Sequence, residues 1–128
     1  MSEPEWLDVE IIQKIHAEHL GLFGGAGGLR DAGLLESALT PPLNKYVYGE
    51  TDLAALAAAY AFGIARNHPF VDGNKRSAFA SIIVFLGLNG VEFDVPPPSA
   101  TAMMMALAEE EVSEDGLTRW IRDNWPPT

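Results

Sequence analysis

The chain has 128 residues, 48% of them apolar, which suits one domain with room for a core. It has no cysteine, which excludes disulfides and thiolate metal sites and fits a reducing cytoplasm. A formal net charge of −10 argues against nonspecific binding to nucleic acid or to an anionic membrane; no apolar run reaches the roughly 20 residues that span a bilayer, and the acidic start does not read as a signal peptide.

In chain order, Val9, Ile12, Ile15, His16 and Leu20 recur near helical spacing, with Asp8 placed as N-cap. His16 and His19 stand three apart on this helix. No third ligand is nearby, so they read as a solvent-facing or core-edge pair and not as a metal site. Gly21 ends the helix. The run from Gly24 to Asp31 looks like a phosphate loop, but it lacks the Lys-Ser/Thr of a Walker A motif and follows a helix, which makes it a left-handed turn between helices. Asp31 then caps a short helix through Leu39, stopped by Thr40-Pro41-Pro42. Leu43 to Glu50 reads as a surface loop or small hairpin. Its tyrosines, Tyr46 and Tyr48, either meet a partner or cover the edge of the core.

Thr51 is placed as the cap of a long alanine-rich helix from Asp52 to Asn67, ended by Pro69. A further helix runs from Asn74 to Leu88. It has no charge from Ser77 onward and is apolar nearly all round, the pattern of a helix buried in the middle of a bundle. Asn89-Gly90 ends it. Val91 to Val95 alternates like a short strand, and Pro96-Pro97-Pro98 makes a stiff break. The next helix starts at Ser99 or Thr101 and reaches about Glu110. Its Met103, Met104 and Met105 either pack in the core or form an adaptable groove. Glu109, Glu110, Glu111, Glu114 and Asp115 read as a solvated turn. Ser113 caps a last helix bearing Leu117, Trp120 and Ile121, with Trp125 near its end. The sum is an all-α bundle of five or six helices, with a buried central helix and a minor β element, in a single domain over residues 1–128.

Between the two long helices lies His68-Pro69-Phe70-Val71-Asp72-Gly73-Asn74-Lys75-Arg76. Arg66, Lys75 and Arg76 are three of the chain's eight basic residues and fall within eleven positions. Lys75 and Arg76 open a helix, where the positive end of the dipole disfavours cations. The placement makes sense if an anion sits between them, because backbone N–H groups at a helix start bind phosphate. Each residue has a role that fits. His68 is either a general base near neutral pH or a helix-capping histidine. Phe70 anchors the loop. Asp72 either ligates Mg²⁺ on a phosphate or caps the next helix. Gly73 permits a turn that aims N–H groups at a ligand. Asn74 bonds a phosphate oxygen or holds the loop, while Lys75 and Arg76, with Arg66 two residues before His68, supply positive charge. Together these are the parts for metal-assisted phosphate transfer.

This stretch resembles the Fic superfamily signature H-P-F-x-[D/E]-G-N-G-R-x-x-R, and more closely the H-x-F-x-D-[A/G]-N-K-R motif of its death-on-curing (Doc) toxin branch. Gly24 to Asp31, Leu34 to Leu39, Asn67 and Phe85 to Gly90 are similar to that branch as well. Two departures from the wider signature matter: Lys75 replaces its second glycine, and Phe79 stands at its second arginine. Those positions seat ATP for AMP transfer in ordinary Fic enzymes, whereas the Doc branch turns ATP round and transfers the γ-phosphate. The resemblance therefore implies a toxin of a type II toxin–antitoxin system, a protein kinase using ATP and Mg²⁺. It implies His68 as base, Asp72 at the metal and Gly73, Asn74, Lys75 and Arg76 at the phosphates. The implied target is a threonine of translation elongation factor Tu, docked by a flap at Leu43 to Glu50. The inhibitory string [S/T]-x-x-x-E-[G/N] of many Fic proteins does not occur in the sequence. Restraint would then come from a cognate antitoxin whose tail folds as a helix in an apolar groove.

Overall fold

The computed structural model describes residues 2–25 and 27–127, with Phe23 as backbone alone; Ala26, inside the expected glycine turn, lies outside the described residues. Six helices follow one another: α1 (Val9–Phe23), α2 (Ala32–Val47), α3 (Leu53–Asn67), α4 (Asn74–Leu88), α5 (Pro97–Ala108) and α6 (Glu114–Asp123). Side chains cap four of them, with Asp8, Asp31, Asp52 and Ser113 accepting from first-turn N–H groups. For α3 the cap is thus Asp52, one residue after the expected Thr51. Asp52 also binds the Arg122 guanidinium, tying the start of α3 to the end of α6.

The central helix is α3, not α4 as the apolar pattern suggested. Every residue from Ala54 to Ala61 is buried, and α3 packs against α2, α4, α5 and α6. Alanine makes this possible, because a methyl group lets a neighbouring helix approach on any side. The bulkier α4 packs against α1, α3 and α5 and leaves Ile83 and Leu88 exposed.

Three local expectations are corrected. First, α2 does not stop at Thr40-Pro41-Pro42 but runs on to Val47, so Leu43 to Val47 is helix and no hairpin forms. A proline inside a helix costs about 3 kcal/mol, chiefly a lost hydrogen bond and a clash. Pro42 is buried against the core, and Lys45 further along pairs with Glu114 at 2.9 Å, so tertiary contacts carry the helix past its own breakers. Second, Val91 to Val95 is no strand. Phe93 and Val95 are buried, as the alternation indicates, but no partner strand lies alongside, and the β pairing among the described residues is one isolated antiparallel bridge between Leu29 and Phe70. Third, α5 starts at Pro97, because fixed φ and a missing N–H suit a helix's first position; it ends at Ala108, before Glu110. The acidic turn beyond is partly engaged, Glu110 with Arg66 and Glu114 with Lys45.

The α2–α3 crossing is close. Pro42 has no N–H to offer the carbonyl of Ala38, and that oxygen lies over Gly63 of α3. A Cβ at position 63 would meet it at 2.9 Å and the Ala38 Cα at 3.1 Å. Backbone on both sides cannot yield as a side chain does. Gly63→Ala therefore destabilises the fold by about 1–3 kcal/mol despite alanine's better helix propensity. The expected reading is a lower urea midpoint at unchanged slope.

Candidate active site

Six residues, His68 to Gly73, join α3 to α4. His68 is the C-cap of α3 in the left-handed region (φ 49°, ψ 57°), with its N–H bonded to the Ile64 carbonyl. That conformation is costly for a side chain with a Cβ, and Pro69 prevents the helix from continuing. Arg30 holds the turn in place. Its Nε donates to the His68 carbonyl at 2.7 Å and its guanidinium NH2 to the Asn67 carbonyl at 2.9 Å. The backbone N–H groups of Arg30 and Asp31 both donate to the Pro69 carbonyl, and Asn67 donates to the Leu34 carbonyl. The His68 side chain is left exposed.

Phe70 is buried at 2% exposure and anchors the loop as expected. It bridges to Leu29, and the Val71 N–H reaches the Gly28 carbonyl. The two alternatives for Asn74 resolve toward the loop. Its Oδ1 accepts from the Phe70 N–H and its Nδ2 donates to the Phe70 carbonyl, both at 3.0 Å. The Asn74 side chain is thus engaged within the loop, and its backbone N–H stands at the first position of α4.

Asp72 is not the cap of α4. The cap position belongs to Gly73 (φ 80°, ψ 18°), and no side chain caps this helix. Asp72 Oδ1 instead accepts from the N–H of Gly73 at 2.8 Å, and its carboxylate stays exposed. Its other oxygen lies against Gly25 of the glycine-rich turn. A Cβ there would come within 2.7 Å of Oδ2, and the backbone at Gly25 (φ 121°) already favours glycine. Lys75 and Arg76 follow in the first turn of α4, both exposed. His68, Val71, Asp72, Gly73, Asn74, Lys75 and Arg76 together line a concavity of about 330 Å³. A base, a carboxylate, two cations and an uncapped helix start thus face one space. That set suits an anion carrying a divalent cation. Mg²⁺ takes one or two carboxylates and leaves its other positions to phosphate oxygens and water, so the lone Asp72 fits it. No group of three His, Cys, Asp or Glu residues among those described could hold a metal by itself.

Arg66 is not brought to this space. Its guanidinium pairs with Glu110 at 2.8 Å and lies over the Phe62 ring, 4.5 Å from the centroid. His16 and His19 differ in surroundings. His16 is buried under the loop, and His19 is half-buried, with its pKa lowered first by burial and next by the Arg76 charge. Lys75 and Arg76 also rim a second concavity, of about 380 Å³, between α4 and α5, walled by Phe79, Ala100, Thr101, Met104 and Met105. The methionines divide as both alternatives allowed, with Met104 in the core and Met105 on the groove. At the end of α2, Tyr46 packs edge-on against Trp6 and covers the core, while Val47 and Tyr48 are exposed beside an open cleft with Asn44 and Glu50.

Sequence reasoning missed Arg30, Gly25 and the role of His16; only the Gly-rich run that contains the first two gave a signal. Arg30→Ala removes two charge-assisted bonds to carbonyls that have few other partners. The expected loss is about 2 kcal/mol, confined to the end of α3. Hydrogen exchange at the His68 amide should accelerate by more than tenfold, with amides of α6 unchanged.

Comparison with known proteins places the sequence in a family. Residues 6–86 match the model of the Fic/DOC family. The chain is 36% identical over 101 residues to the protein kinase doc of Escherichia phage P1, covering 77% of this chain and 80% of that protein. It is 39% identical over 100 residues to the toxin Doc of Mycolicibacterium smegmatis, covering 74% of this chain and 76% of that one. With residues 6–86 matched, the central loop among them, and about three quarters of the chain aligned to each relative, the chain belongs to the Fic/DOC family.

Proposed function

We propose that the chain is a protein kinase and the toxin of a type II toxin–antitoxin pair, which transfers the γ-phosphate of ATP to a hydroxyl of translation elongation factor Tu and so arrests translation. The observation that carries this reading is the single concavity shared by the exposed imidazole of His68, the uncapped start of α4, the Asp72 carboxylate and the two cations. In the transfer, the hydroxyl oxygen of the target bonds to the γ-phosphorus, the bond from that phosphorus to the β–γ bridging oxygen breaks, and ADP leaves. His68 accepts the hydroxyl proton. The N–H groups of Asn74, Lys75 and Arg76 and the two side-chain cations hold phosphate oxygens as charge shifts toward the leaving group. Mg²⁺, held by Asp72, supplies charge neutralisation of the phosphates when bound.

Two observations favour γ-phosphate over AMP transfer. Lys75 places a long cation at the mouth of the concavity where the wider signature has glycine, and Phe79 lines the α4–α5 groove, offering no phosphate ligand. The name of the phage relative, a protein kinase, points the same way, and that of the mycobacterial relative, a toxin, suits the antitoxin pairing. The α4–α5 groove, apolar at Phe79, Met104 and Met105 and rimmed by Lys75 and Arg76, fits the amphipathic tail of an antitoxin with acidic residues on one edge. The exposed Val47 and Tyr48 provide a face for the protein target.

Labelled ATP tests the reading in a bacterial translation extract. Label from the γ-position and a mass increase of one phosphate on elongation factor Tu are expected. Label from the α-position would mean AMP transfer, and no label would mean a binding module. His68→Ala should lower transfer by at least about 100-fold and relieve growth arrest on expression.

A further inference from the structure

We propose that His16, on α1, is a positioning residue of the phosphate site: by donating its Nε2–H to the carbonyl of Asp72 it fixes the Asp72–Gly73 peptide plane and, through that plane, the Asp72 carboxylate. The inference rests on the phosphate reading of the concavity and says how its floor is held.

His16 is 4% exposed and 56 residues distant from Asp72 in sequence. Its Nε2 lies 2.7 Å from the Asp72 carbonyl oxygen. A carbonyl oxygen only accepts, so Nε2 carries a proton and is the donor. The ring cannot turn away, because it is stacked on Phe70 with centroids 3.8 Å apart and planes within 6°. A buried imidazole with that bond unmade would be costly, so the interaction is obligatory in the folded chain.

The consequence follows from peptide geometry. The peptide is trans, so its C=O and N–H point to opposite sides. With the carbonyl of Asp72 held toward α1, the N–H of Gly73 faces away from α1, where it donates to Asp72 Oδ1. One imidazole thereby orients a carboxylate that it does not touch. The arrangement needs such a hold because the plane ends on glycine. Gly73 adopts either sign of φ at little cost, so a free plane would rotate readily. Rotation would turn a carbonyl oxygen toward the anion and take the N–H from the carboxylate. The His16 ring lies directly beneath, with Cδ2 and Nε2 both 3.5 Å from where a Cβ of residue 73 would stand. The two residues therefore work as a pair, with glycine permitting the conformation and histidine selecting it.

The test compares the parent with His16→Phe, which keeps a stacking ring and loses the donor, and His16→Gln, whose amide places a donor near Nε2. In the parent, imidazole nitrogen shifts should show Nε2 protonated. In His16→Phe, hydrogen exchange at the Gly73 amide should rise by about tenfold, and calorimetric affinity for Mg²⁺·ATP should fall by about fivefold or more. His16→Gln should recover most of both. An imidazole protonated at Nδ1 alone, parent-like exchange and affinity in His16→Phe, or a glutamine variant as impaired as the phenylalanine one would overturn the proposal. If the parent itself binds no Mg²⁺·ATP, the phosphate reading fails, and tautomer and exchange still decide the role of His16. If His16→Phe does not fold, the tautomer and the glutamine variant decide it.

Discussion

The structure depends on a helix start that is left electrostatically unfinished. Four of the six helices receive a side-chain cap, and α4 receives none while carrying Lys75 and Arg76 in its first turn. Cations at that end are unfavourable by about 0.3–1 kcal/mol each, and no side-chain cap offers the first-turn N–H groups an acceptor. An isolated helix would relax this by fraying. Here it cannot, because the preceding loop is tied on every side: Asn74 clamps Phe70, the glycine turn pairs with Phe70 and Val71, Arg30 holds the carbonyls of Asn67 and His68, and His16 holds that of Asp72. Local strain maintained by surrounding bonds is the signature of a site built for a ligand that completes it.

The fold supplies the rigidity that such a site requires. Alanines along α3 let α2, α4, α5 and α6 close round it, and the Gly63–Ala38 crossing sets α2 nearly in backbone contact. The end of α3 and the start of α4 are thus both fixed by the core, with only six residues between them. His68 belongs to the first of these helix ends, and the N–H groups proposed to meet phosphate belong to the second. Their separation is therefore a property of helix packing, not of loop conformation, which is how a base and an anion site are kept in register.

Much of this could be read from residue order. The bounds of α4, the caps Asp8, Asp31 and Ser113 and the anchoring role of Phe70 all follow from local chemistry that side chains announce. The helical run through Pro41 and Pro42 was illegible because the force that sustains it is tertiary: a buried Pro42, a close partner at Gly63 and the Lys45–Glu114 pair. The same holds for the centre of the bundle. Hydrophobicity favoured α4, but burial follows how closely neighbours can approach, and small residues win that contest in α3. Val91 to Val95 has the period of a strand without an edge to pair with. In the site, nearness in sequence misled for Arg66, whose helical position turns it toward Glu110, while Arg30 and His16 act from other helices and elements, where no spacing rule reaches.

The acidity of the chain bears on how such a site holds a polyphosphate. With a net charge of −10, the long-range field of the protein opposes an approaching ATP. On the proposed reading, attraction would come from interactions that act at contact: N–H groups aimed by the helix, two cations on its first turn, and a metal that would come with the nucleotide and reduce its charge. A carboxylate inside an anion site is otherwise self-defeating, since it would repel the phosphates that Lys75 and Arg76 draw in. Its presence at the mouth of α4 fits the proposed divalent cation, which would stand between the two negative partners. On that reading Asp72, whose backbone carbonyl is bonded by His16, is the residue on which binding and catalysis would jointly turn.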